Sequence, residues 1–490
     1  MVLRLAVLVF FIASLLPALS QPLSKEQILE ALPRYEAYVE QARQDWDVPK
    51  VAVAVVYNDE ILWWKGFGEE PPDQETVFAI GSTTKAFAAA TLAIMVDEGG
   101  PGWDAKVVDH LPGFAMYDPW VTREFQVDDL LAQHSGMPQQ VLSGLGAMGY
   151  SADRIVSALR WVQPVTSFRS RFAYVNSPHL VAGNLVAKWA GADSWETVLK
   201  KRILDPLGMK TTTWTPEGLD GNPNSATGHA RVNGQIRPIT AGPFPYVFGP
   251  AGNLNSNLYD LSRWVRLQLN NGEFEGKRIV SEQNLLVTRT PQTVLGPSIF
   301  YCMGWLNVES HGHPISWHNG GTPGHTTFIG LQPQDKLGVI VLSNLGGTEM
   351  PDAVGLRFFD LVREYEGPDY NKQYLSRHKP PQYPPVIERG FLPEMAGEYH
   401  HPALGKFTVD QQQKVLFHDT GLQAVIEPIG PNLFQLRMPS GWLSEIGWAR
   451  LGEFLYSPAA QGQEASFTVS IGEPGETTPF KAHRLKSQLR

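Results

Sequence analysis

The order in which hydrophobic patterns follow one another is what most limits how this chain can fold. Val51 to Val56 is a short run rich in β-branched residues, followed by Asn58-Asp59 and then Ile61-Leu62-Trp63-Trp64. Two such runs around a polar pair predict a β-hairpin that turns at Asn58. The middle of the chain has another character. Ser82 opens an Ala-rich stretch to Met95 that stops at Gly99-Gly100-Pro101, and Asp128 to Ala132, Ser151 to Val162 and His179 to Trp189 also read as helices. Strand patterns return at Thr326 to Ile329 and Val339 to Leu342, with the polar turn Gln334-Asp335-Lys336 between them, and Asp352 to Glu366 then reads as a helix. Strands, helices and strands again predict one sheet whose early and late strands pair around a helical insert.

A second unit follows. Lys379 to Pro385 reads KPPQYPP, with four prolines in seven residues, which makes a stiff connection. Beyond it, Lys406 to Val409, Val415 to His418, Gln423 to Ile426, Leu433 to Arg437 and Ala465 to Val469 are short alternating runs split by Gly, Pro and Asp. That spacing predicts a small all-β module, barrel-like, over 390–490. The larger unit is expected over 21–370, with a Pro-rich linker over 371–389.

The chain begins MVLRLAVLVFFIASLLPALS: one positive charge, an apolar run from Leu5 to Leu16, then Pro17 and a small-x-small end. This is the layout of a secretory signal peptide over 1–20, and it predicts an extracellular or periplasmic protein. The run is too short to cross a hydrocarbon core, and no later stretch is long enough, so no membrane span is expected. The single cysteine, Cys302, excludes an internal disulfide, so stability must come from the core. Lys plus Arg is 40 against Asp plus Glu 49, a net charge of −9, which leaves no basic surplus for phosphates; nucleic acid is not an expected partner.

Three short patterns carry chemistry. Ser82 and Lys85 stand three apart at the start of a predicted helix, so an amine can reach a hydroxyl on one helix face. A serine at a helix N-terminus also sits among unpaired N–H groups at the positive end of the dipole. Tyr174-Val175-Asn176 supplies a phenol that can relay a proton and an amide that can bond a substrate carbonyl and hold the lysine. His318-Asn319-Gly320-Gly321 puts two glycines at a strand edge, where a backbone can approach a ligand. Each pattern alone is weak: an N-cap serine, a turn and a glycine loop explain them as well.

Their order, separated by about 90 and then about 140 residues, resembles that of the serine beta-lactamase-like hydrolases: class C beta-lactamases, D-alanyl-D-alanine carboxypeptidases, D-amino-acid peptidases and related esterases. Leu130-Leu131-Ala132-Gln133-His134-Ser135-Gly136-Met137-Pro138, Asp205-Pro206-Leu207-Gly208-Met209, and Ala251-Gly252-Asn253-Leu254 followed by Tyr259-Asp260-Leu261 are similar to further family segments. The resemblance spans about residues 30 to 366. It implies an α+β fold, an α/β sandwich of the beta-lactamase/transpeptidase-like kind with an antiparallel sheet and helical insert. It further implies Ser82 as acylated nucleophile, Lys85 or Tyr174 as proton acceptor, Asn176 on the substrate carbonyl side, and the N–H groups of Ser82 and Gly321 as an oxyanion hole beside His318 and Gly320. The expected substrate is a small ester or a short peptide or amide, with no cofactor and no metal; the oligomeric state is open.

One departure matters. Lactam-destroying and cell-wall members usually carry lysine where this chain has His318, and a neutral imidazole recognises a carboxylate less well. Weak or absent beta-lactamase activity is therefore expected. A secreted binding or matrix protein on a retired scaffold is the alternative; the presence of Ser82, Lys85, Tyr174 and Asn176 favours the enzyme. Gly144-Leu145-Gly146-Ala147-Met148-Gly149 matches a dinucleotide fingerprint but lacks the preceding strand, so it reads as a mobile loop near the cleft. His311, His313 and His318 lack the spacing of a metal site, His325 reads as a packing residue, and Cys302 as a buried strand residue.

Overall fold

The computed structural model describes residues 23–310, 312–378, 384–387, 390–460, 463–471 and 478–485. The expected signal at 1–20, Lys379 to Tyr383 of the proline run, and His311 lie outside the described residues.

Helix α1 (Lys25–Asp45) leads into the hairpin β1 (Val51–Tyr57) and β2 (Glu60–Phe67), which turns at Asn58 with φ of 54°. Helices α2 (Thr84–Asp97), α3 (Ser177–Ala190) and α4 (Leu258–Leu269) lie in the central part of the chain. Six strands follow: β3 (Thr293–Gly296), β4 (Ile299–Tyr301), β5 (Leu306–Ser310), β6 (His313–Gly321), β7 (Thr326–Gln332) and β8 (Leu337–Ser343). Helices α5 (Met350–Leu361) and α6 (Tyr370–Arg377) close this part. The sheet is antiparallel throughout, in the order β2-β1-β8-β7-β6-β5-β4-β3. The first hairpin thus pairs with the last strand, Val51 opposite Ser343 and Tyr57 opposite Leu337, as the pattern order predicts.

The reason β1 reads as an unbroken apolar run is that both its faces are covered. Val51, Val53 and Val55 pack with Tyr35 and Val39 of α1 and Phe358 of α5. Ala52, Ala54 and Val56 face Phe87 of α2 and Trp264 of α4. A strand buried on both sides loses the polar alternation of a surface strand. The result is a helix–sheet–helix sandwich.

Eight further strands form a closed antiparallel barrel: β9 (Gly397–His401), β10 (Gly405–Val409), β11 (Lys414–Phe417), β12 (Gln423–Gly430), β13 (Leu433–Arg437), β14 (Arg450–Ser457), β15 (Ser466–Ile471) and β16 (Thr478–Arg484). Closure is made where Tyr399 of β9 pairs with Arg484 of β16. The rings of Tyr399, Phe407, Phe417, Phe434, Phe454 and Phe467 are all buried and in mutual contact. Eight strands enclose a space that side chains can fill, and here aromatic rings fill it. The barrel docks on the helical part of the larger domain: Tyr150 donates to the Leu404 carbonyl at 2.7 Å, Arg154 pairs with Asp419, and Trp161 meets His401.

Several expectations are corrected. Asp128 to Ala132 forms only a 3₁₀ turn over Asp128–Leu130, because Asp129 accepts from the Gln126 N–H and Asp128 from the Asp129 N–H, local bonds that compete with a helix. The helix expected over Asp352 to Glu366 runs from Met350 to Leu361. The linker expected from 371 begins as α6: Asp369 caps it, and Asn371 accepts from Trp46 and donates to Asp45. The glycine-rich segment 144–149 is no open loop. Ser143–Ala147 is a short helix with Gly144 and Gly146 buried against neighbours that include Phe248. Cys302 lies one residue past β4, and burial pushes its thiol up to about 12.

Candidate active site

The site is built where the turn before α2 meets the open edge of β6. Ile80-Gly81-Ser82-Thr83 enters α2 through a 3₁₀ turn, Gly81–Thr83. The Ile80 N–H donates to the Leu254 carbonyl, and the Ile80 carbonyl accepts from the hydroxyls of Thr83 and Thr327 at 2.8 and 3.0 Å. Two glycines permit the approach. Gly81 has φ of 51°, and a Cβ there would stand 2.8 Å from the Gly321 nitrogen; a Cβ on Gly320 would stand 1.9 Å from the Ile80 carbonyl oxygen. Gly320 therefore serves backbone-to-backbone packing, not the ligand approach that its motif suggests. A Cβ on Gly321 would meet nothing within 4 Å.

Strand register orients the Gly321 N–H. Thr322 donates to the His325 carbonyl, so Gly320 and Thr327 form the next hydrogen-bonded pair and Gly321 opposite Thr326 a non-bonded one. The Gly321 N–H consequently points to the other edge of β6. That edge is free there, because β5 pairs with β6 only as far as Trp317. The Ser82 N–H belongs to the first turn of a helix, where donors lack an intrahelical acceptor. Two such donors near one half-exposed hydroxyl form a pocket suited to an anionic oxygen.

Lys85 is fully buried. Its Nζ lies 2.9 Å from Ser82 Oγ, 2.7 Å from the Ala251 carbonyl oxygen, and 4.7 Å from the centre of the Tyr174 ring. Among the described residues no carboxylate pairs with it. Burial without a counter-charge drives its pKa well below the ordinary lysine value. The Tyr174 phenol is pushed up by burial, opposed by its hydrogen bond with Ser82. Ser82, Lys85 and Tyr174 therefore meet.

His318 is buried beside them, its ring 6.2 Å from that of Tyr174 and 5.9 Å from that of Tyr301. Nδ1 lies 2.6 Å from the Asn319 carbonyl, which can only accept, so Nδ1 carries the proton. Nε2 is then the acceptor facing the Tyr301 hydroxyl at 3.3 Å. Burial, with the nearby Lys85 adding to it, pushes His318 down to about 3. The imidazole is neutral at pH 7.

Asn176 stands at the N-cap position of α3 without a side-chain capping bond, and its Nδ2 faces Gln140 Oε1 at 3.4 Å and Ser143 Oγ at 3.3 Å. Its Oδ1 is buried with no hydrogen-bond partner among the described residues. The lysine is held by the Ala251 carbonyl, not by Asn176 as expected. Tyr301, Gln140 and Ser143 also border the site, and no motif in the sequence marks them. Ala251 stands in a segment singled out by resemblance, but a backbone carbonyl leaves no mark in residue type. His325 packs away from Ser82, with Nε2 at 2.9 Å from the Ala226 carbonyl. Among the described residues no group of His, Cys, Asp and Glu is arranged to hold a metal, and no helix is long and apolar enough to cross a membrane.

Comparison with known proteins bears on the fold and the family. The chain is 27% identical over 454 residues to an unguisins hydrolase of Aspergillus campestris, covering 82% of this chain and 83% of that protein. It is 26% identical over 374 residues to penicillin-binding protein 4 of Amycolatopsis lactamdurans, covering 73% and 94%. Among solved structures, the octameric penicillin-binding protein homologue from Pyrococcus abyssi aligns with a TM-score of 0.62 at 21% identity, over 92% of this chain and 99% of that one. A D-stereospecific amidohydrolase from Streptomyces aligns with a TM-score of 0.54 at 20% identity, over 65% and 98%. The beta-lactamase family description matches residues 36–362, and with that match over most of the chain the protein belongs to the beta-lactamase family of serine hydrolases.

Proposed function

We propose that the protein is an exported hydrolase that cleaves an ester or a small peptide or amide through an acyl-enzyme on Ser82, with little or no activity on beta-lactams. The observation that carries the reading is the 2.9 Å approach of Lys85 Nζ to Ser82 Oγ in surroundings that favour a neutral amine. A neutral amine donates to the Ala251 carbonyl and keeps a lone pair for the Ser82 proton. The Tyr174 phenol, raised by burial, stays protonated at pH 7, so it suits a relay better than a resting base.

Ser82 Oγ bonds to the substrate carbonyl carbon while its proton passes to Lys85. The carbonyl oxygen becomes an oxyanion between the N–H groups of Ser82 and Gly321. The bond to the leaving nitrogen or oxygen breaks, and the proton reaches that atom from Lys85 by way of the Tyr174 hydroxyl. Water then adds to the ester carbon, the Oγ–carbon bond breaks, and a proton returns to Ser82. Asn176, with a buried free acceptor, orients the substrate beside its carbonyl.

The neutral His318 supports the weak-lactam part, since no permanent cation stands where lysine would meet a carboxylate. The kinship with a protein named for hydrolysing unguisins supports hydrolysis as the activity. Export rests on the pattern of residues 1–20.

A fluorophosphonate probe with mass mapping, run beside turnover of a cephalosporin, a short-chain aryl ester and a D-aminoacyl amide, tests the reading. An adduct on Ser82 and faster turnover of the ester or amide are expected. No adduct in folded protein, or efficient cephalosporin hydrolysis with the other two slow, would overturn it.

A further inference from the structure

The barrel interior is packed with aromatic rings, so whatever the barrel contributes must come from its outside. One segment reaches the larger domain near the catalytic turn. Between β13 and β14 the chain forms the short helix Trp442–Glu445. The Trp442 indole lies directly on Gly242: a Cβ placed there would stand 1.9 Å from Cε2 of the indole. Its Nε1–H donates to the Thr240 carbonyl at 3.2 Å. Trp448, 6.5 Å from Trp442 between ring centres, braces it and packs on Phe244 at 5.3 Å.

Among the described residues Trp442 is the barrel's one residue in the wall of a pocket otherwise formed by the larger domain, with Ala79, Pro245, Tyr246 and Thr322 among its lining. Those residues fix where the pocket lies. Thr322 directly follows Gly321, and Ala79 stands three residues before Ser82. A Cβ on Gly252 would lie 3.5 Å from Pro245 Cβ and 3.6 Å from the Gly81 carbonyl carbon. The pocket therefore abuts the junction of Gly81 with Gly321, and Lys85, Tyr174 and His318 take no part in its walls. With the indole in place its free space is about 20 Å³, close to that of one water.

Direction follows from the chemistry. The leaving atom must receive its proton from Lys85 and Tyr174, so it lies on their side of the carbonyl. The acyl substituent then points the other way, past Gly321 toward Thr322. We propose that Trp442, supplied by the barrel, is a specificity-determining residue that closes the acyl pocket and restricts the enzyme to substrates with a small acyl group. The inference rests on the acyl-transfer reading above.

The test compares an aryl acetate with the matching aryl hexanoate on the full chain, the Trp442→Ala and Trp442→Phe variants, and Ser82→Ala. Removing the indole should raise the hexanoate-to-acetate ratio of kcat/KM by about tenfold or more, since even one methylene of fit is worth about tenfold. Trp442→Phe keeps an aromatic ring against Trp448 and should raise the ratio less; it carries the comparison if Trp442→Ala does not fold. An unmoved ratio, or a parallel fall for both esters, overturns the inference. If Ser82→Ala abolishes turnover while the ratio stays unmoved, the acyl-transfer reading survives and only the role of Trp442 falls. If Ser82→Ala retains full turnover, both fall together.

Discussion

The two halves of this molecule bury their interiors by opposite rules. The barrel encloses contacting aromatic rings, from Tyr399 and Phe407 to Phe454 and Phe467, in a packed apolar core. The candidate catalytic corner of the larger domain buries Lys85, His179 and His318 with no counter-charge among the described residues. Both ring nitrogens of His179 lack a hydrogen-bond partner there. Burying an amine without a counter-ion costs stability, and it is also what makes the amine able to take a proton. The barrel interior is arranged for cohesion, whereas the corner gives up cohesion for reactivity.

That contrast can be broken at either end. The largest effect should come from Lys85→Ala, which removes the proposed general base and should lower kcat on an aryl ester by about 10²–10⁴-fold. A fall under tenfold would take Lys85 out of the reaction. Phe467→Ala in the barrel should cost about 3–5 kcal/mol of stability by denaturant titration, the range for deleting a buried aromatic ring. Ser82 labelling should be unchanged under folding conditions; loss of labelling in folded protein would show that the two halves are not energetically separable.

Gly320→Ala sits at the seam, where the new methyl would collide with the Ile80 carbonyl. Overpacking of this kind should cost about 1–3 kcal/mol, and it should lower ester turnover along with the melting temperature, because it lifts the turn bearing Ser82. Activity should also fall as pH falls through the depressed pKa of Lys85, by about tenfold per pH unit below it. The sign is fixed by the mechanism: the reactive amine is the deprotonated one, so protonation can only remove activity. The acid limb must lie well below the ordinary lysine value of 10.5, and a profile with its midpoint near 10 would contradict the burial argument. The smallest effect should be that of Arg154→Ala, which removes a partly exposed ion pair with Asp419 between the two halves and should change stability by less than about 1 kcal/mol.

The readable and unreadable parts of the sequence divide by the range of the forces involved. The run Val51 to Val56, the Ala-rich α2 and the alternating strands after residue 400 declare themselves in residue type, because burial and periodicity act over a few neighbours. Ser82, Lys85 and Tyr174 were legible as motifs because each role needs its own functional group. The short turn at Asp128 and the helix at Tyr370 were misread. Local carboxylate bonds ended the one, and capping by Asp369 with docking of Asn371 on Trp46 supported the other.

What the chain's residues determined by themselves is the two-part architecture and the chemical groups available for acyl transfer. Only the tertiary structure decided that the Ala251 carbonyl holds the lysine, that Gly320 packs on Ile80 while Gly321 stays open, and that Trp442 reaches across from the barrel. The physical reason is that these are contacts of backbone atoms and of residues far apart in sequence. A carbonyl is the same in every residue, and proximity across 166 positions or more exists only once the chain has folded.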